Sequence, residues 1–244
     1  DIFINLASRK GSDFCDLNID DTYQSNILGT KNVIDACNKH NIPFIHFGTT
    51  AYYYSDEKIK IITEESIKEP RTFYAATKLF QIQMALQMAS VPYMIIEPVY
   101  LYGNLGEYAS NRSESVPDIV VRLQTGPETG PTSVRIDPQY IKDYTHIKDF
   151  CPVFEKVMSD PSWGERLMIG AGNNTSLYNV AEEMITRLEG DDRLIFLRDT
   201  DYKKHQKHDY TKLYSLYPDF KDYKWTSLKD FFIGEGIRVG LRQI

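Results

Sequence analysis

Three residues of this sequence have side chains and spacing suited to proton transfer: Thr50, Tyr74 and Lys78. Thr50 follows an apolar stretch that predicts a short buried strand, and Tyr74 and Lys78 lie one turn apart near the start of a predicted helix. Because open α/β sheets bind ligands at the carboxyl ends of their strands, we expect the three groups to meet at one sheet edge. A neighbouring ammonium lowers the pKa of a phenol from about 10 toward neutrality, so the phenolate becomes a usable base. The sequence therefore predicts these three residues as catalytic.

A tyrosine four residues before a lysine is a weak signal by itself, because the chain contains four such pairs. Three of them fall where no helix is expected: Tyr54 with Lys58 in a polar loop, Tyr144 with Lys148 across a strand end, and Tyr217 with Lys221 around Pro218. The remaining pair, Tyr74 with Lys78, lies on a predicted helix that follows a strand ending in a hydroxyl residue. Its position, more than its spacing, supports the catalytic interpretation.

The composition predicts a globular protein with one large domain, or a domain with a small lobe. The 244 residues are 42% hydrophobic and carry a formal net charge of −6, with a pI of about 5.4, which argues against a general nucleic-acid surface. No apolar stretch approaches the ~20 residues that span a membrane, and no signal peptide opens the chain, so a cytoplasmic location is expected.

Cysteine and histidine usage predicts no metal site. The three cysteines, at positions 15, 37 and 151, are odd in number and widely spaced, which predicts reduced structural thiols rather than disulfides or zinc ligands. His205 and His208 lie in a lysine-rich stretch without acidic or thiol ligands at metal spacing. We predict that this stretch is a solvated loop.

Two glycine clusters superficially resemble nucleotide-binding loops. The cluster at 126–130 has no Lys-Ser/Thr after it, so it is not a phosphate-cradling P-loop. The cluster at 170–172 lacks the third glycine of a dinucleotide fingerprint, and a tight turn from a strand to a helix is predicted there instead.

The order of predicted elements is typical of a doubly wound parallel α/β sheet. In the first part of the chain, strands at 1–7, 43–49 and 91–98 alternate with helices at 20–38 and 73–89. Further strands are predicted at 133–136, 143–147 and 166–170, and further helices at 116–123, 149–158, 176–188 and 226–240. We predict a truncated cofactor domain at 1–103, to which 143–189 returns in part, and a smaller substrate-binding lobe formed by 104–142 and 190–244.

Several of these segments resemble motifs of one protein family, the nucleotide-sugar epimerase/dehydratase family of extended short-chain dehydrogenase/reductases. The matching segments cover nearly the whole chain: 1–7 (the family's fourth strand), 26–33 (Asn-Ile-Leu-Gly-Thr-Lys-Asn-Val), 47–55 with its catalytic Thr50, the Tyr74/Lys78 pair, 98–103, 142–149 and 168–177. Individually the motifs are weak, but together they are specific for the family.

The resemblance implies a Rossmann-like fold, an NAD cofactor (with NADP as the alternative), a nucleotide-sugar substrate and a homodimer paired through the helices at 20–38 and 73–89. It implies that the nicotinamide half of the cofactor contacts Leu6, Ala7, Ser8, Asn26, Thr50, Tyr74, Lys78 and Val99. The substrate candidates are Thr50, Tyr100, Arg135 and Lys142, with Arg135 and Lys142 facing the pyrophosphate.

The sequence also departs from the family pattern. Glu97 replaces the usual arginine, Tyr100 replaces a substrate-contacting asparagine, and Ala51-Tyr52 stand where 4,6-dehydratases carry Asp-Glu, which counts against dehydration. The family's Gly-rich turn and first strands have no counterpart in the 244 residues, so we expect a longer natural chain and negligible NAD(P) binding by these residues alone.

Three functions are consistent with these observations. The first is an NAD(P)-dependent nucleotide-sugar epimerase, acting at sugar C4 through a transient keto intermediate. The second is an NADPH-dependent 4-keto-sugar reductase of the same fold. The third is a non-catalytic Rossmann-like binding or regulatory protein, against which the joint presence of Thr50, Tyr74 and Lys78 argues.

Overall fold

The computed structural model of the chain describes residues 1–54, 61–103, 141–176, 179 and 207–227, together with the backbone of 132–135 and 194–197. In chain order the described elements are β1 (Phe3–Asn5), α1 (Ser12–Leu17), α2 (Ile19–Thr22), a π-helical turn (Tyr23–Leu28), α3 (Gly29–His40), β2 (Phe44–Phe47), α4 (Phe73–Met88), β3 (Tyr93–Pro98), β4 (Tyr100–Tyr102), β5 (Thr132–Arg135), β6 (Ile141–His146), α5 (Ile147–Ser159), β7 (Arg166–Ile169), β8 (Asn174–Ser176), β9 (Leu194–Leu197), α6 (Thr211–Leu216) and a 3₁₀ turn (Pro218–Phe220).

The main sheet is parallel, and within the described ranges its strand order is β1-β2-β3-β7. Its strands are apolar and buried: Ile45, Ile95 and Leu167, from three neighbouring strands, have no exposed surface. Parallel strands with continuous apolar sequence are typical of sheets covered on both faces. The predicted parallel α/β sheet is therefore confirmed.

Helices cover this sheet on both faces. His46 and Phe47 are consecutive residues of β2, so their side chains point to opposite faces. The His46 ring contacts Gln81 of α4, whereas the Phe47 ring packs against Phe150 and Phe154 of α5. The helix α4 therefore lies on one face and α5 on the other, as a doubly wound sheet requires.

Two smaller sheets lie outside the main one. In the first, β4 pairs with β6 in parallel and β6 pairs with β8 in antiparallel orientation. In the second, β5 pairs with β9. This second pair joins the two segments assigned from sequence to the substrate-binding lobe, 104–142 and 190–244, although the lobe boundaries stay a prediction.

The helix predicted at 20–38 differs in detail from the structure. Helical backbone runs from Ile19 to His40 and includes the π turn, and Asn41 ends it in the left-handed conformation with φ of 53°. The short helices α1 and α6 were not predicted, because six residues are too few to show a helical period. The helices predicted at 116–123 and 176–188 lie outside the described residues apart from Ser176, which ends β8, and residue 179. All but the start of the helix predicted at 226–240 lies outside them as well.

The prediction of a strand-to-helix turn at 170–172 is wrong, because the segment leads from β7 into another strand, β8. Gly172 has a φ of +72°, which favours glycine. At Gly170 a β-carbon would lie 2.1 Å from the Tyr210 hydroxyl and 2.4 Å from Val99, so this position admits no side chain. The cluster at 126–130 lies outside the described residues.

The prediction of a solvated loop at 205–208 is wrong for His208. This side chain is buried, and its backbone forms a bridge with Ile62. All three cysteines are free thiols, with Cys15 and Cys37 in the core and Cys151 exposed. Among the helices that the structure describes, none is long and apolar enough to cross a membrane.

Candidate active site

The predicted catalytic residues are carried by the end of β2 and the first turns of α4. Thr72 caps α4, because its side chain accepts a hydrogen bond from the Ala75 amide at 3.1 Å. Lys78 lies one turn after Tyr74, and its ammonium donates to the Phe47 carbonyl oxygen at 2.6 Å. Phe47 is the last residue of β2, so Lys78 links the helix to the strand end from which the Thr49–Thr50 turn departs.

Tyr74 is half-buried, and the side chain of Thr49 lies close to its phenol and stabilises the phenolate. Burial raises the pKa of Tyr74 above its ordinary value of 10, and the neighbouring Thr49 side chain only partly opposes this shift. The sequence predicted the opposite direction, toward neutrality. That prediction is wrong for the chain alone, because the loss of hydration around the phenol outweighs the stabilisation of the phenolate by its neighbours.

Lys78 is also less cationic than the sequence suggested. Its side chain is buried, and burial lowers the pKa of its ammonium from 10.5 to about 7. Near neutral pH the lysine therefore carries only part of a positive charge. Since an ammonium has three N–H donors and Phe47 accepts one, two donors stay available to a ligand when Lys78 is protonated.

Thr50 lies in the bend after β2 and is buried, with 4% of its surface exposed. Its carbonyl oxygen accepts a hydrogen bond from the Tyr53 amide at 3.2 Å. The described contact to Tyr74 comes from the neighbouring Thr49, whose hydroxyl also accepts from the Ala51 amide at 3.3 Å. Sequence reasoning missed Thr49, and its place in the same hydroxyl-rich turn was the signal that could have found it.

The segment after β1 is the predicted nicotinamide contact. Leu6 is 64% exposed and Ala7 is exposed as well, and the Ala7 amide donates to the Asn5 side chain at 3.2 Å. The Ser8 hydroxyl donates to Asn26 at 3.1 Å, and the Arg9 amide donates to the same oxygen at 2.7 Å. The structure therefore brings Ser8 and Asn26 together at the carboxyl end of the first strand.

Asn26 itself is fully buried within the π turn. Its amide nitrogen donates to Thr77 at 3.0 Å, and its backbone oxygen accepts from Gln81 at 2.7 Å. The Gln81 side chain in turn contacts His46 at 3.3 Å, and His46 contacts Asn5 at 3.1 Å. These five residues, here called the amide network, join the π turn, α4 and the first two strands; π turns occur frequently at functional sites.

Two of the predicted substrate residues lie together. The Lys142 ammonium is 4.1 Å from the centre of the Tyr100 ring, a cation–π contact, and the Tyr100 ring also packs against Tyr144. Val99, the predicted cofactor contact next to Tyr100, is buried. Arg135 ends β5, but its side chain lies outside the described residues.

Comparison with known proteins shows which sequences this chain resembles. A profile of the NAD dependent epimerase/dehydratase family matches residues 1–170. The UDP-glucose 4-epimerase of Corynebacterium glutamicum is 24% identical in an alignment of 175 residues that covers 66% of this chain and 52% of that protein. The chain spans between 49% and 63% of the length of the curated relatives it matches.

Solved structures share the fold at lower identity. UDP-glucuronic acid 4-epimerase from Bacillus cereus, in complex with UDP-glucuronic acid and NAD, gives a TM-score of 0.76 at 20% identity and covers 94% of this chain and 72% of that one. The dTDP-glucose 4,6-dehydratase DesIV from Streptomyces venezuelae, with NAD bound, gives 0.77 at 18% identity and covers 97% and 74%. The predicted Rossmann-like fold is thus confirmed, while an epimerase and a dehydratase match it equally well.

Proposed function

This chain belongs to the NAD-dependent epimerase/dehydratase family, and we propose that it acts as an NAD(P)-dependent nucleotide-sugar epimerase, with C4 of the sugar as the reacting carbon. One observation carries this proposal: Tyr74 and the Thr49–Thr50 turn lie close together at the carboxyl end of β2. The Lys78 ammonium lies at the same strand end, where it donates to the Phe47 carbonyl oxygen. Ala51 and Tyr52, which replace the Asp-Glu expected of a 4,6-dehydratase, favour epimerisation over dehydration.

The residues at the strand ends fit the nicotinamide half of the cofactor. Asn5 pairs with His46 in the sheet, so Leu6 lies beside Phe47, the residue whose carbonyl oxygen Lys78 contacts. An exposed apolar side chain next to an ammonium suits a flat apolar ring attached to a ribose with two hydroxyls. Leu6, Ala7, Ser8 and Val99 would contact the ring, and Lys78 would hold the ribose.

The chemistry then divides between two side chains. Tyr74 accepts the proton of the sugar hydroxyl, and Thr50 donates a hydrogen bond to the oxygen that becomes a carbonyl. When bound, an oxidised nicotinamide supplies a hydride acceptor and a positive charge. Because burial raises the pKa of Tyr74, we propose that Tyr74 becomes a base at neutral pH only in the presence of that additional charge.

The nucleotide end of the substrate would lie at the small sheet formed by β4, β6 and β8. Lys142 is buried against the Tyr100 ring, so its ammonium is held in one place rather than moving freely in solvent. A fixed cation beside an aromatic ring suits a pyrophosphate. On this basis we assign Tyr100 and Lys142 to substrate binding, and the resemblance to the family adds Arg135.

The proposal is tested by changing Tyr74 to phenylalanine in the complete natural polypeptide. We expect kcat to fall by about 10²- to 10⁴-fold with little change in cofactor affinity, because the base is lost and the ring is kept. Interconversion of C4 epimers is followed by chromatography on a panel of UDP- and dTDP-sugars with NAD and NADP. Tyr93→Phe, at the amino end of β3, is the control. Near wild-type turnover by Tyr74→Phe would remove Tyr74 from this role, and net NADPH consumption would indicate a reductase.

The two threonines are distinguished by parallel variants. If Thr50 is the donor to the reacting oxygen, Thr50→Val lowers kcat by about 10²-fold or more, as expected for an oxyanion donor. Thr49→Val then acts mainly through the effect of the Thr49 side chain on the pKa of Tyr74 and has a smaller effect on kcat. The reverse order of the two effects would assign the donor to Thr49.

We also propose a homodimer formed through the helices at 19–40 and 73–88. Their surfaces carry exposed Tyr23, Phe80 and Leu86, which lack cover in the single chain. Light scattering at micromolar concentration should give twice the monomer mass. A monomer would contradict this proposal without touching the catalytic one.

A further inference from the structure

A buried charged cluster lies beside the Thr49–Thr50 turn, and the proposed chemistry does not use it. Glu97 of β3 has no exposed surface, and both oxygens of its carboxylate accept phenols: Oε1 from Tyr52 and Oε2 from Tyr53 at 2.6 Å. The Arg166 Nε lies 3.3 Å from Oε1. Glu64 completes the group, and these five residues are called the Glu97 cluster below.

The cluster also reaches the segment that leads into α4. The Glu64 carboxylate accepts from the Met168 amide at 2.9 Å, and the Glu64 carbonyl oxygen accepts from the Arg166 guanidinium, which also donates to the Tyr53 hydroxyl at 2.9 Å. Tyr52 adds a backbone bond, since its carbonyl oxygen accepts from the Glu69 amide at 2.8 Å. The ion pair of Arg166 with Glu97 thus contacts the segment that follows Thr50 and, through Arg166, the segment that precedes Tyr74.

The space around Gly48 shows that the turn packs closely against Glu97. In the parallel register Gly48 is one step beyond the pair of Phe47 with Ile96, so it lies beside Glu97. A β-carbon at Gly48 would lie 3.0 Å from the Tyr52 hydroxyl and 3.2 Å from the Glu97 Cγ. One end of the turn, Gly48, therefore lies beside Glu97, and the other end, Tyr52, donates a hydrogen bond to it, with Thr49 and Thr50 between them.

We propose that Glu97 is a positioning residue, which sets the Thr49–Thr50 turn against Tyr74 through its two phenol hydrogen bonds. The inference rests on the proposed function and extends it to a residue that touches neither substrate nor cofactor. Hydrogen bonds to a carboxylate are short and directional, so they fix the two phenols better than apolar packing would. Arg166 supplies the positive charge that keeps this carboxylate paired in the interior.

The principal test is Glu97→Gln, which keeps the volume but replaces one acceptor oxygen by a donor. We expect kcat to fall by about 10- to 100-fold while KM and cofactor Kd stay within about twofold, because the turn is misplaced and the binding surfaces are intact. Tyr52→Phe and Tyr53→Phe remove one hydroxyl each and serve if Glu97→Gln does not fold. Tyr217→Phe removes a buried hydroxyl that bonds to Asp160 and Ser162 instead, and should leave kcat unchanged.

A double-mutant cycle separates positioning from general loss of structure. If Glu97 acts through Thr50, then Glu97→Gln costs much less in a Thr50→Ala background than in the wild type. Additive losses, or an unchanged kcat in Glu97→Gln, Tyr52→Phe and Tyr53→Phe, would overturn the proposal.

A second readout requires no turnover. In protein labelled with ¹³C at threonine methyl groups, the Thr49 and Thr50 signals, assigned by Thr→Ser variants, should shift in Glu97→Gln and stay in place in Tyr217→Phe. Unmoved signals in Glu97→Gln would contradict positioning. If no nucleotide sugar is converted by the wild type, the proposed function fails, and the methyl signals still decide whether Glu97 sets the turn.

Discussion

Two buried polar clusters lie on the same face of the main sheet and support the candidate site by different interactions, one through neutral hydrogen bonds and the other through an ion pair. His46 pairs with Ile95, and Glu97 is two residues beyond Ile95, so the side chains of His46 and Glu97 both point toward α4. The amide network around His46 consists of neutral groups. The Glu97 cluster contains two carboxylates and the Arg166 guanidinium.

The difference between them lies in how burial is compensated. In the amide network, burial and the nearby Lys78 lower the pKa of His46 to about 3, so the imidazole is neutral and needs only hydrogen bonds. In the Glu97 cluster, burial raises the pKa of Glu97, and Arg166 with the two phenols opposes this shift. Neutral networks therefore depend on complete hydrogen bonding, whereas the charged cluster depends on its counter-ion.

Each cluster supports a different part of the site. The amide network holds the Ala7–Arg9 segment through Asn5 and Asn26, which is the predicted nicotinamide contact. The Glu97 cluster holds the turn that carries Thr49 and Thr50. Both clusters lie beside α4, so a substitution that disrupts either cluster should also shift the helix that carries Tyr74 and Lys78.

The largest expected effect comes from removing the counter-ion of the charged cluster. Arg166→Met leaves Glu97 buried without a positive partner, which should lower the free energy of unfolding by about 3–5 kcal/mol. Urea unfolding followed by far-ultraviolet circular dichroism measures it. The exposed pair of Lys31 with Asp35 is the control, because Lys31→Met should cost only about 0.5 kcal/mol. Equal losses in the two variants would show that Arg166 is not a necessary partner.

A smaller loss is expected when the amide network is interrupted. Gln81→Leu leaves His46 and the Asn26 carbonyl oxygen without their partner, at a cost of about 1–3 kcal/mol. Unlike the Glu97 cluster, this network contains no ion pair. The loss of stability in Gln81→Leu should therefore be the same at 0.1 and 1 M salt, although the Debye length falls from about 10 to about 3 Å. A salt-dependent loss would mean that the network is not neutral.

The neutrality of His46 is tested by pH. Because its folded pKa is about 3 and its ordinary value is 6.5, the unfolded chain binds a proton below pH 6.5 that the folded chain does not. Its contribution to stability is complete above pH 6.5 and is lost as the pH falls toward 3, by roughly 2 kcal/mol between pH 6.5 and 5. His46→Gln removes this dependence, so the two stability curves should converge on acidification. Parallel curves would show that His46 binds a proton over the same pH range in the folded protein as in the unfolded chain.

The smallest effect is expected at a buried histidine outside both clusters. Among the described residues, neither ring nitrogen of His208 has a hydrogen-bond partner, and burial lowers the pKa of His208 to about 4. His208→Leu therefore removes no described hydrogen bond, and should change stability at pH 7.5 by less than about 1 kcal/mol. His46→Leu, measured beside it, should cost more, because Asn5 and Gln81 lose a partner. A larger loss in His208→Leu would reveal a polar contact at that site.

Local sequence patterns were enough to predict the parallel α/β sheet, the helix that carries Tyr74 and Lys78, and the strand end that carries Thr50. These features are local: apolar runs, helical spacing and turn residues each depend on neighbours within a few positions. For the same reason the bounds of β2, α4 and β3 fall within two residues of those predicted.

The protonation and pairing of the buried charged groups, in contrast, depend on contacts between distant segments. The sequence showed that Glu97 departs from the family pattern, but not that a carboxylate on a central strand would pair with Arg166, which enters the sheet far along the chain. It placed Lys78 beside Tyr74 and implied a lowered pKa, whereas burial raises the pKa of Tyr74 and lowers that of Lys78. Desolvation and pairing depend on which distant segments enclose a group, and no local pattern records that.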